Sequence, residues 1–174
     1  MDVLIEKLQI ADAEELYRFE LENRSFFEKM VPTRGDDYYR PEIFKRRHVA
    51  LLDEQAQGGS NFYLIKDKNG SILGRMNLVD IDKSKKVGHL GYRVGQVHTG
   101  KGIASMALKL LLDISENKDI KQIKAKTTTN NIPSQRVLEK NGFVLRAYGD
   151  DEFEMNGDKL KFVYYSWDKG LSCH

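Results

Sequence analysis

A glycine-rich stretch between a predicted strand and a predicted helix is the part of the chain best suited to hold a phosphate. Residues 92–104 read YRVGQVHTGKGIA. The first turn of a helix leaves backbone N–H groups unpaired, and the helix dipole favours negative charge there. Because Gly100 and Gly102 lack a Cβ atom, a phosphate can approach the backbone closely. The pattern therefore predicts a phosphate-bearing ligand at this turn.

Two other glycine-loop chemistries fit the sequence less well. The nucleoside triphosphate loop G-x-x-x-x-G-K-[ST] matches at Gly95, Gly100 and Lys101 but has Gly102 where a hydroxyl would hold Mg²⁺. The dinucleotide pattern G-x-G-x-x-G/A meets Ser105 at its last position, and the next predicted strand brings no acidic residue to bind ribose. Both are disfavoured, and a tight turn without a ligand is the plain structural alternative.

A second polar motif follows the next predicted strand. Residues 131–143 read NIPSQRVLEKNGF, with Pro133 in the first turn of a short predicted helix and Gly142 just past its end. Asn131 and Ser134 place an amide and a hydroxyl at the start of that helix. Together with the paired glycines, this segment resembles the GNAT acetyltransferase superfamily. The second motif of that family reads approximately N-x-x-S/A-x-x-x-x-x-K-x-G-F and follows an acyl-CoA loop in the same order.

The resemblance implies a fold and an activity. The implied fold class is α/β (α+β): a mixed, mostly antiparallel central sheet flanked by helices, the GNAT acyl-CoA N-acyltransferase fold, as one domain over residues 1–174. The implied enzyme moves an acetyl group from acetyl-CoA to a primary amine without a metal. Segment 88–93 (GHLGYR) and, more loosely, segment 23–27 (NRSFF) resemble the branch that acetylates the N-terminal alanine of ribosomal proteins.

Other acceptors and one other function stay open from the sequence. The acceptor can be a small amine such as a polyamine or an amino sugar, or the chain can be a non-catalytic acyl-CoA-binding regulator. An α-amine has a pKa of about 7.7–8.0, against about 10.4 for lysine, so it needs less help from a base. The weak signal for a base therefore favours a protein N-terminus, such as that of a ribosomal protein.

The resemblance also assigns residues to the coenzyme. The backbone of Val94 is expected to pair with the pantetheine amide as an added strand would, and a bulge there would splay this strand from the next. Loop N–H groups from His98 to Ala104 are expected to hold the pyrophosphate, and Asn131 to hydrogen-bond pantetheine. The expected coenzyme-binding residues are Tyr92, Arg93, Val94, His98, Thr99, Gly100, Lys101, Gly102, Ile103, Ala104, Asn131 and Ser134.

Two side chains are the candidates for proton transfer. Many family members protonate the leaving thiolate from a tyrosine four residues after the Ser134 position, where this chain has Leu138. Ser134 is then the remaining donor, with helix capping as its structural alternative. His89 stands where relatives often have glutamate, and an imidazole with a pKa near ~6.5 can accept a proton. Asp80 and Asp82 are alternative bases that would act through water.

The acceptor pocket is expected between the first two helices and the last hairpin. Acidic side chains there would attract a cationic acceptor. The candidate lining residues are Glu22, Arg24, Phe26, Phe27, Asp36, Asp37, Tyr38 and Tyr39.

Composition limits the compartment and the partners. The 174 residues include 28 basic and 26 acidic side chains, a net charge of +2 that is too balanced for nucleic acid as the main partner. The one cysteine, Cys173, excludes an intrachain disulfide, and no apolar run is long enough to span a membrane. Charged residues interrupt the first apolar stretch, so no signal peptide is expected. We expect a cytoplasmic protein without a metal, and a sheet edge that can support a homodimer.

Hydrophobic periodicity and turn signals predict the order β-α-α-β-β-β-α-β-α-β-β. Asp12 and Glu15 have the spacing of a capping box at the start of the first helix. Hairpin turns are predicted at Lys68–Gly70 and Asn156–Gly157. The predicted strands are 4–10, 62–65, 72–81, 87–95, 120–127, 143–153 and 160–167, and the predicted helices are 12–28, 41–57, 103–114 and a short one that ends before Gly142.

Overall fold

The computed structural model describes residues 2–30, 34–116 and 119–170. The helices are α1 (Ala13–Glu22), α2 (Arg24–Met30), α3 (Pro41–Ala56), α4 (Ile103–Glu116) and α5 (Ile132–Lys140). The strands are β1 (Val3–Lys7), β2 (Asn61–Asp67), β3 (Ile72–Asp82), β4 (Val87–Val94), β5 (Gln122–Thr128), β6 (Val144–Tyr148), β7 (Phe153–Met155), β8 (Asp158–Leu160) and β9 (Phe162–Asp168). Short 3₁₀ turns lie at Ile10–Asp12, Asp36–Tyr39 and Gln96–His98.

One large sheet organises the molecule. Its seven strands lie in the order β1-β2-β3-β4-β5-β9-β6. Every neighbouring pair is antiparallel except β4 and β5, which run parallel because α4 crosses over between them. The predicted mixed, mostly antiparallel sheet is therefore confirmed.

Helices cover both faces of this sheet. On one face, Ala107, Leu108 and Leu111 of α4 are fully buried in a core that also contains Leu138 of α5. Their spacing gives α4 the single apolar stripe that a helix needs to pack on a sheet. On the other face, an aromatic core joins α1, α2 and α3 to β2 through Leu16, Phe19, Phe27, Phe44 and Phe62. The sheet is therefore the middle layer of the fold, with helices packed on each of its two faces.

The first predicted helix is two helices, and the first predicted strand is shorter than expected. Asn23 separates α1 from α2: its side-chain amide donates to the carbonyl of Phe19 at 2.9 Å, a local bond that competes with continued helix. Asp12 stands at the predicted N-cap position of α1, but the predicted side-chain capping bond is absent. Its carboxylate accepts from the backbone N–H of Gln9 at 2.8 Å instead of capping α1, and a 3₁₀ turn replaces the end of the predicted strand.

The break at Asn23 has a second function in the fold. Its side-chain oxygen accepts from the backbone N–H of Gln96 at 2.8 Å. Asn23 therefore ties the α1–α2 junction to the turn that follows β4, on the way to the glycine loop.

The last predicted hairpin is divided into two sheets. Asn156 and Gly157 form the predicted turn, with φ of +52° and +84°. This turn joins only the short strands β7 and β8, which pair with each other apart from the main sheet. The longer strand β9 pairs with β6 and β5 instead, and the bond from the N–H of Gly149 to the carbonyl of Phe162 extends its pairing with β6.

The segment predicted to be polar and turn-rich over 32–40 is partly ordered against the core. Residues 31–33 lie outside the described part of the chain, but Asp36–Tyr39 form a 3₁₀ turn that buries Tyr38 and Tyr39. The predicted turn at Lys68–Gly70 is confirmed between β2 and β3, where the Asp67 carboxylate accepts from the N–H groups of Asn69 and Ser71. Across residues 2–30, 34–116 and 119–170, no helix combines the length and apolar character needed to cross a bilayer. The same ranges contain no group of metal-ligating side chains.

Two glycines of the central sheet should differ sharply in their tolerance of a side chain. A Cβ built on Gly74 would lie 2.4 Å from the Arg93 carbonyl oxygen, whereas a Cβ on Gly91 would meet nothing within 4 Å. We expect Gly74→Ala to lower the free energy of unfolding by about 1–3 kcal/mol, as overpacking does, and Gly91→Ala to stay within about 1 kcal/mol of wild type. Equal denaturation midpoints for the two variants would contradict this packing.

Candidate active site

A gap opens in the sheet where β4 and β5 stop pairing. The two strands pair in parallel from Val87 opposite Gln122 to Leu90 opposite Ala125, and no further. Beyond that point each strand is held only by its outer neighbour, with Val94 opposite Gly74 of β3 and Thr128 opposite Phe162 of β9. The inner edge of β4 after Leu90 therefore presents backbone groups to an added extended ligand.

The splay at Val94 arises without the bulge that the sequence led us to expect there. Pairing of β4 with β3 is regular from Val94 to His89. The irregular step lies between Val79 and Asp82 of β3, where Asp80 has a φ of +49°. The strands diverge because their outer partners hold them apart.

The glycine loop lies at one mouth of this gap. Gly100 and Gly102 have φ of +75° and +77°, and a Cβ on either would meet nothing within 4 Å. The N–H of Met106 donates to the carbonyl of Gly102 at 3.0 Å, and this is the first backbone hydrogen bond of α4. The N–H groups of the three residues before Met106 therefore have no acceptor within the helix. Nδ1 of His98 is buried and, in the described part of the chain, has no hydrogen-bond partner. The loop offers open space and unpaired donors, as a pyrophosphate site requires.

The start of α5 forms the facing wall. The Asn131 side chain accepts from the backbone N–H of Ser134 at 3.2 Å and so caps the helix. Ser134 is therefore not the cap, which was the structural alternative for it. Its hydroxyl is instead the acceptor of a bond at 3.1 Å from the hydroxyl of Tyr92, which reaches across from β4.

Tyr92 and Ser134 form a hydroxyl pair beside Leu138. Leu138, at the position where many relatives carry tyrosine, is buried in the core. Tyr92 brings a phenol to the same helix from the opposite strand, since it shares the face of β4 with Leu90 and Val94. Burial raises the pKa of the Tyr92 hydroxyl above its ordinary value, against the lowering effect of the bond to Ser134. The phenol therefore keeps its proton across the neutral pH range.

A single cleft of about 770 Å³ joins these features. It brings together most of the residues that the sequence assigned to the coenzyme: Tyr92, Arg93, Val94, His98, Thr99, Gly100, Gly102, Ile103, Ala104, Asn131 and Ser134. Lys101 is the exception: it is exposed and does not line the cleft.

The candidate bases do not reach the cleft. His89 is exposed on β4, one residue before the last pair between β4 and β5, and it does not line the gap. Its side chain shares the face of β4 with Gly91 and Arg93, which do line the cleft, but His89 lies in the part of the strand that is still paired with β5. The Asp82 carboxylate accepts from Ser84 and from the backbone N–H of Lys85, which lowers its pKa and ties it to a turn. The structure therefore brings together the predicted donor but not the predicted base.

The other mouth of the cleft contains a buried charge cluster that sequence analysis missed. Glu20 of α1 has no exposed surface, and its carboxylate lies 2.6 Å from Nη1 of Arg75, 3.4 Å from Nη1 of Arg93 and 3.8 Å from Nη1 of Arg34. All three arginines line the cleft. Two features of the sequence could have indicated this cluster: Arg75 is the one charged residue in an apolar part of β3, and Glu20 follows Phe19 on the buried side of α1. Each such residue needs a partner of opposite charge.

The predicted acceptor pocket is partly correct. Phe26 and Phe27 line the cleft, together with Met30, Asn77 and Phe153. The remaining candidates lie elsewhere: Glu22, Asp36 and Asp37 are exposed, Tyr38 and Tyr39 are buried behind the cleft wall, and Arg24 pairs with Glu28 and Asp36 over the Tyr39 ring. Within the described ranges, no aspartate or glutamate lines the cleft. The expected acidic attraction for a cationic acceptor is therefore wrong.

The open glycine backbone predicts a specific binding defect. Gly102→Ala places a methyl group where a phosphate would approach, and we expect acetyl-CoA affinity to fall by about tenfold or more, read as a smaller thermal shift. Gly70→Ala is the matched control, since its φ is +85° and its Cβ position is equally open, but it lies in the β2–β3 turn. Equal acetyl-CoA shifts in the two variants would remove the loop from the binding site.

Comparison with known proteins agrees with this geometry. The Bacillus subtilis (strain 168) protein named probable N-acetyltransferase YjcK is 28% identical over 159 residues, 89% of this chain and 87% of the relative. The ribosomal protein uS5-alanine N-acetyltransferase of Escherichia coli (strain K12) is 28% identical over 150 residues, 84% of this chain and 77% of the relative.

Solved structures share the fold along nearly the whole chain. The ribosomal-protein-S5-alanine acetyltransferase from Vibrio fischeri has a TM-score of 0.89 at 22% identity, covering 100% of this chain and 97% of its own. A ribosomal L7/L12 α-N-protein acetyltransferase in complex with coenzyme A has a TM-score of 0.86 at 20% identity, covering 96% and 94%. The family model described as the acetyltransferase (GNAT) domain matches residues 2–144, most of the chain. The chain belongs to the GNAT acetyltransferase family.

Proposed function

We propose that this acetyltransferase transfers the acetyl group to the α-amine at the N-terminus of a protein, such as a ribosomal protein. The observation that carries the proposal is the chemistry of the cleft lining: Arg34, Arg75, Arg93 and Lys126 line it, and no carboxylate within the described ranges does. The relative with 28% identity that acts on an alanine of ribosomal protein uS5 supports the same class of acceptor.

A cationic lining selects for an amine that is easily neutral. Nearby positive charge disfavours the ammonium form and lowers the pKa of a bound amine. An α-amine, with a pKa of about 7.7–8.0, then enters as the nucleophile without a dedicated base, whereas a lysine near 10.4 would need one. A polyamine brings several positive charges into the same cleft and is repelled. The lining therefore favours the protein N-terminus over the small-polyamine alternative.

Asn77 can orient the incoming amine. Its side-chain oxygen is buried and has no hydrogen-bond partner in the described part of the chain, although the residue lines the cleft. Asn77 lies opposite Gly91 of β4, where no side chain fills the space above the strand. An amide oxygen in that position can accept an N–H of the acceptor and direct the nitrogen lone pair towards the gap.

The remaining steps fall to the gap and the hydroxyl pair. The backbone at Val94 holds the pantetheine arm, and the loop from His98 to Ala104 holds the pyrophosphate. The new C–N bond forms as the C–S bond breaks. The amine then releases a proton to solvent, the departing thiolate takes a proton from the Tyr92–Ser134 pair, and the pair regains its proton from solvent. Because its pKa is raised, Tyr92 is in the protonated form that this step needs.

Two further expectations stay predictions within this proposal. A cytoplasmic location and a single domain over residues 1–174 fit the proposed acceptor but rest on the sequence. The homodimer expected from an exposed sheet edge would use β6, the last strand of the main sheet, where all five residues are exposed.

An acceptor screen tests the proposal directly. We expect thiol release from acetyl-CoA with a peptide that has a free N-terminal alanine, and at least about tenfold less with spermidine or with the same peptide acetylated at its α-amine and carrying an internal lysine. Mass spectrometry of the product locates the acetyl group. Preferred use of spermidine, or thiol release with none of the amines, would replace the proposal by one of its alternatives.

The hydroxyl pair predicts a loss of turnover without loss of coenzyme binding. We expect Tyr92→Phe and Ser134→Ala each to lower kcat by about tenfold to a hundredfold, since a general acid contributes on this scale, while the acetyl-CoA thermal shift is retained. Tyr148→Phe, at a tyrosine that is 62% exposed on β6, is the matched control. The wild-type rate should decline at alkaline pH only above about 10, and Tyr92→Phe should lack that limb. Unchanged turnover in Tyr92→Phe would assign the pair to structure alone.

A further inference from the structure

The charge cluster of Glu20, Arg34, Arg75 and Arg93 lies at the mouth of the cleft opposite the glycine loop, which we call the acceptor mouth. This cluster is not neutral. Three guanidinium groups surround the one carboxylate of Glu20. Glu28 on α2 and Asp36 on the adjoining 3₁₀ turn are engaged by Arg24, which packs over Tyr39 outside the cleft. Asp37, the other acidic residue of that turn, is exposed and lies 3.6 Å from Arg40. Positive charge is therefore in excess at this mouth of the cleft.

The three arginines differ in what holds them. Arg75 is buried and donates to Glu20 at 2.6 Å and to the Tyr38 hydroxyl at 3.4 Å. Arg93 lies 4.8 Å from the centre of the Phe27 ring, and Arg34 lies 4.8 Å from the centre of the Tyr38 ring and donates to the Tyr38 hydroxyl at 2.6 Å. Their side chains are 18% and 33% exposed. A ring face attracts a cation but carries no net charge to neutralise it. Arg34 and Arg93 thus keep guanidinium surface towards the cleft.

Electrostatics point the same way as the geometry. Burial lowers the pKa of Arg93, and the neighbouring Arg34 and Arg75 lower it further, whereas Glu20 opposes them. An excess charge in a partly buried site is costly unless a ligand of opposite sign enters.

The excess positive charge of the arginines does not lie beside the loop proposed to hold the phosphates of the coenzyme. The side chain of Arg93 contacts Glu20 of α1 and Phe27 of α2. Tyr92, the residue before it, turns to Ser134 of α5 on the opposite face of the sheet. The glycine loop leads into α4, which packs on that second face with Leu138 of α5. The arginines therefore face the acceptor mouth, across the sheet from the phosphate loop.

We propose that Arg34 and Arg93 bind a carboxylate of the acceptor, so that the preferred substrate is an α-amine followed within a few residues by an acidic group. The inference rests on the proposed function and specifies its substrate class. Guanidinium groups bind carboxylates through short, charge-assisted, often paired hydrogen bonds. The carboxylate can come from an acidic side chain at the second or third position of a peptide, or from the free carboxyl group of a small amino acid.

Matched peptides test the preference. The three acceptors are C-terminally amidated, begin with alanine and differ only at the second residue, which is aspartate, asparagine or lysine. We expect kcat/KM to be about tenfold higher for the aspartate peptide than for the asparagine peptide, and lower again for the lysine peptide. Free alanine compared with alaninamide separates the small-molecule source of the carboxylate from the peptide source.

Arginine variants assign the preference to the cluster. Arg34→Gln should bring the aspartate-to-asparagine ratio of kcat/KM close to one, and Arg34→Glu should favour the lysine peptide. Arg18→Gln is the control, because this arginine of α1 is exposed, pairs with Glu14 and does not line the cleft, and it should keep the wild-type ratio. The ratio compares two substrates on one enzyme preparation, so a general loss of activity does not affect it.

The outcomes separate this inference from the proposed function. Equal rates for the three peptides, with acetylation at the α-amine, would overturn the inference and leave the proposed function standing. A wild-type preference retained by Arg34→Gln would overturn the inference in the same way. Efficient use of free alanine with no use of any peptide would support the arginine–carboxylate contact and overturn the protein acceptor. Failure of all α-amines would overturn both.

Discussion

The separation of β4 from β5 after Leu90 and Ala125 is the constraint on which the rest of the site depends. Two adjacent strands normally satisfy each other's backbone groups, and a sheet that stops doing so in its interior leaves those groups to a ligand. Here the separation is stable because each strand has a complete partner on its other side. Gly74 allows β3 to approach β4 closely, and β9 pairs with β5 up to Thr128. The gap between β4 and β5 is therefore part of the folded sheet.

The starts of α4 and α5 both depend on that gap. The glycine loop before α4 and the Asn131 cap of α5 lie at its rim because each helix follows directly on one of the two diverging strands. The hydroxyl pair of Tyr92 and Ser134 bridges the gap from strand to helix. The aromatic layer of α1 and α2 closes the opposite face and supplies Phe26 and Phe27. Two chemically different mouths result, one with open glycine backbone and one with guanidinium groups.

Local signals in the sequence were sufficient for most of the elements and for the positions of the glycine loop and of the start of α5. The β2–β3 turn, the Pro133 start and Gly142 end of α5 and the paired glycines are properties of short segments, and the structure places them as expected. The predictions that failed concern features that depend on contacts between segments distant in sequence. Asn23, at the break between α1 and α2, also accepts from Gln96 across 73 positions of sequence, and Glu20 meets Arg75 across 55. Periodicity cannot reveal such partners, and for the same reason His89 could not be excluded from the site before its register was known.

The full burial of Glu20 also limits how this chain can diverge. A neutral side chain at position 20 would leave Arg75 without its counter-charge in the interior, so that change alone is strongly disfavoured. Loss of an arginine at 34 or 93, in contrast, reduces an excess. Positions 20 and 75 should therefore vary only together during evolution, while 34 and 93 are free to drift as the acceptor changes. A family whose members recognise different amines can diversify at these two positions without rebuilding its interior.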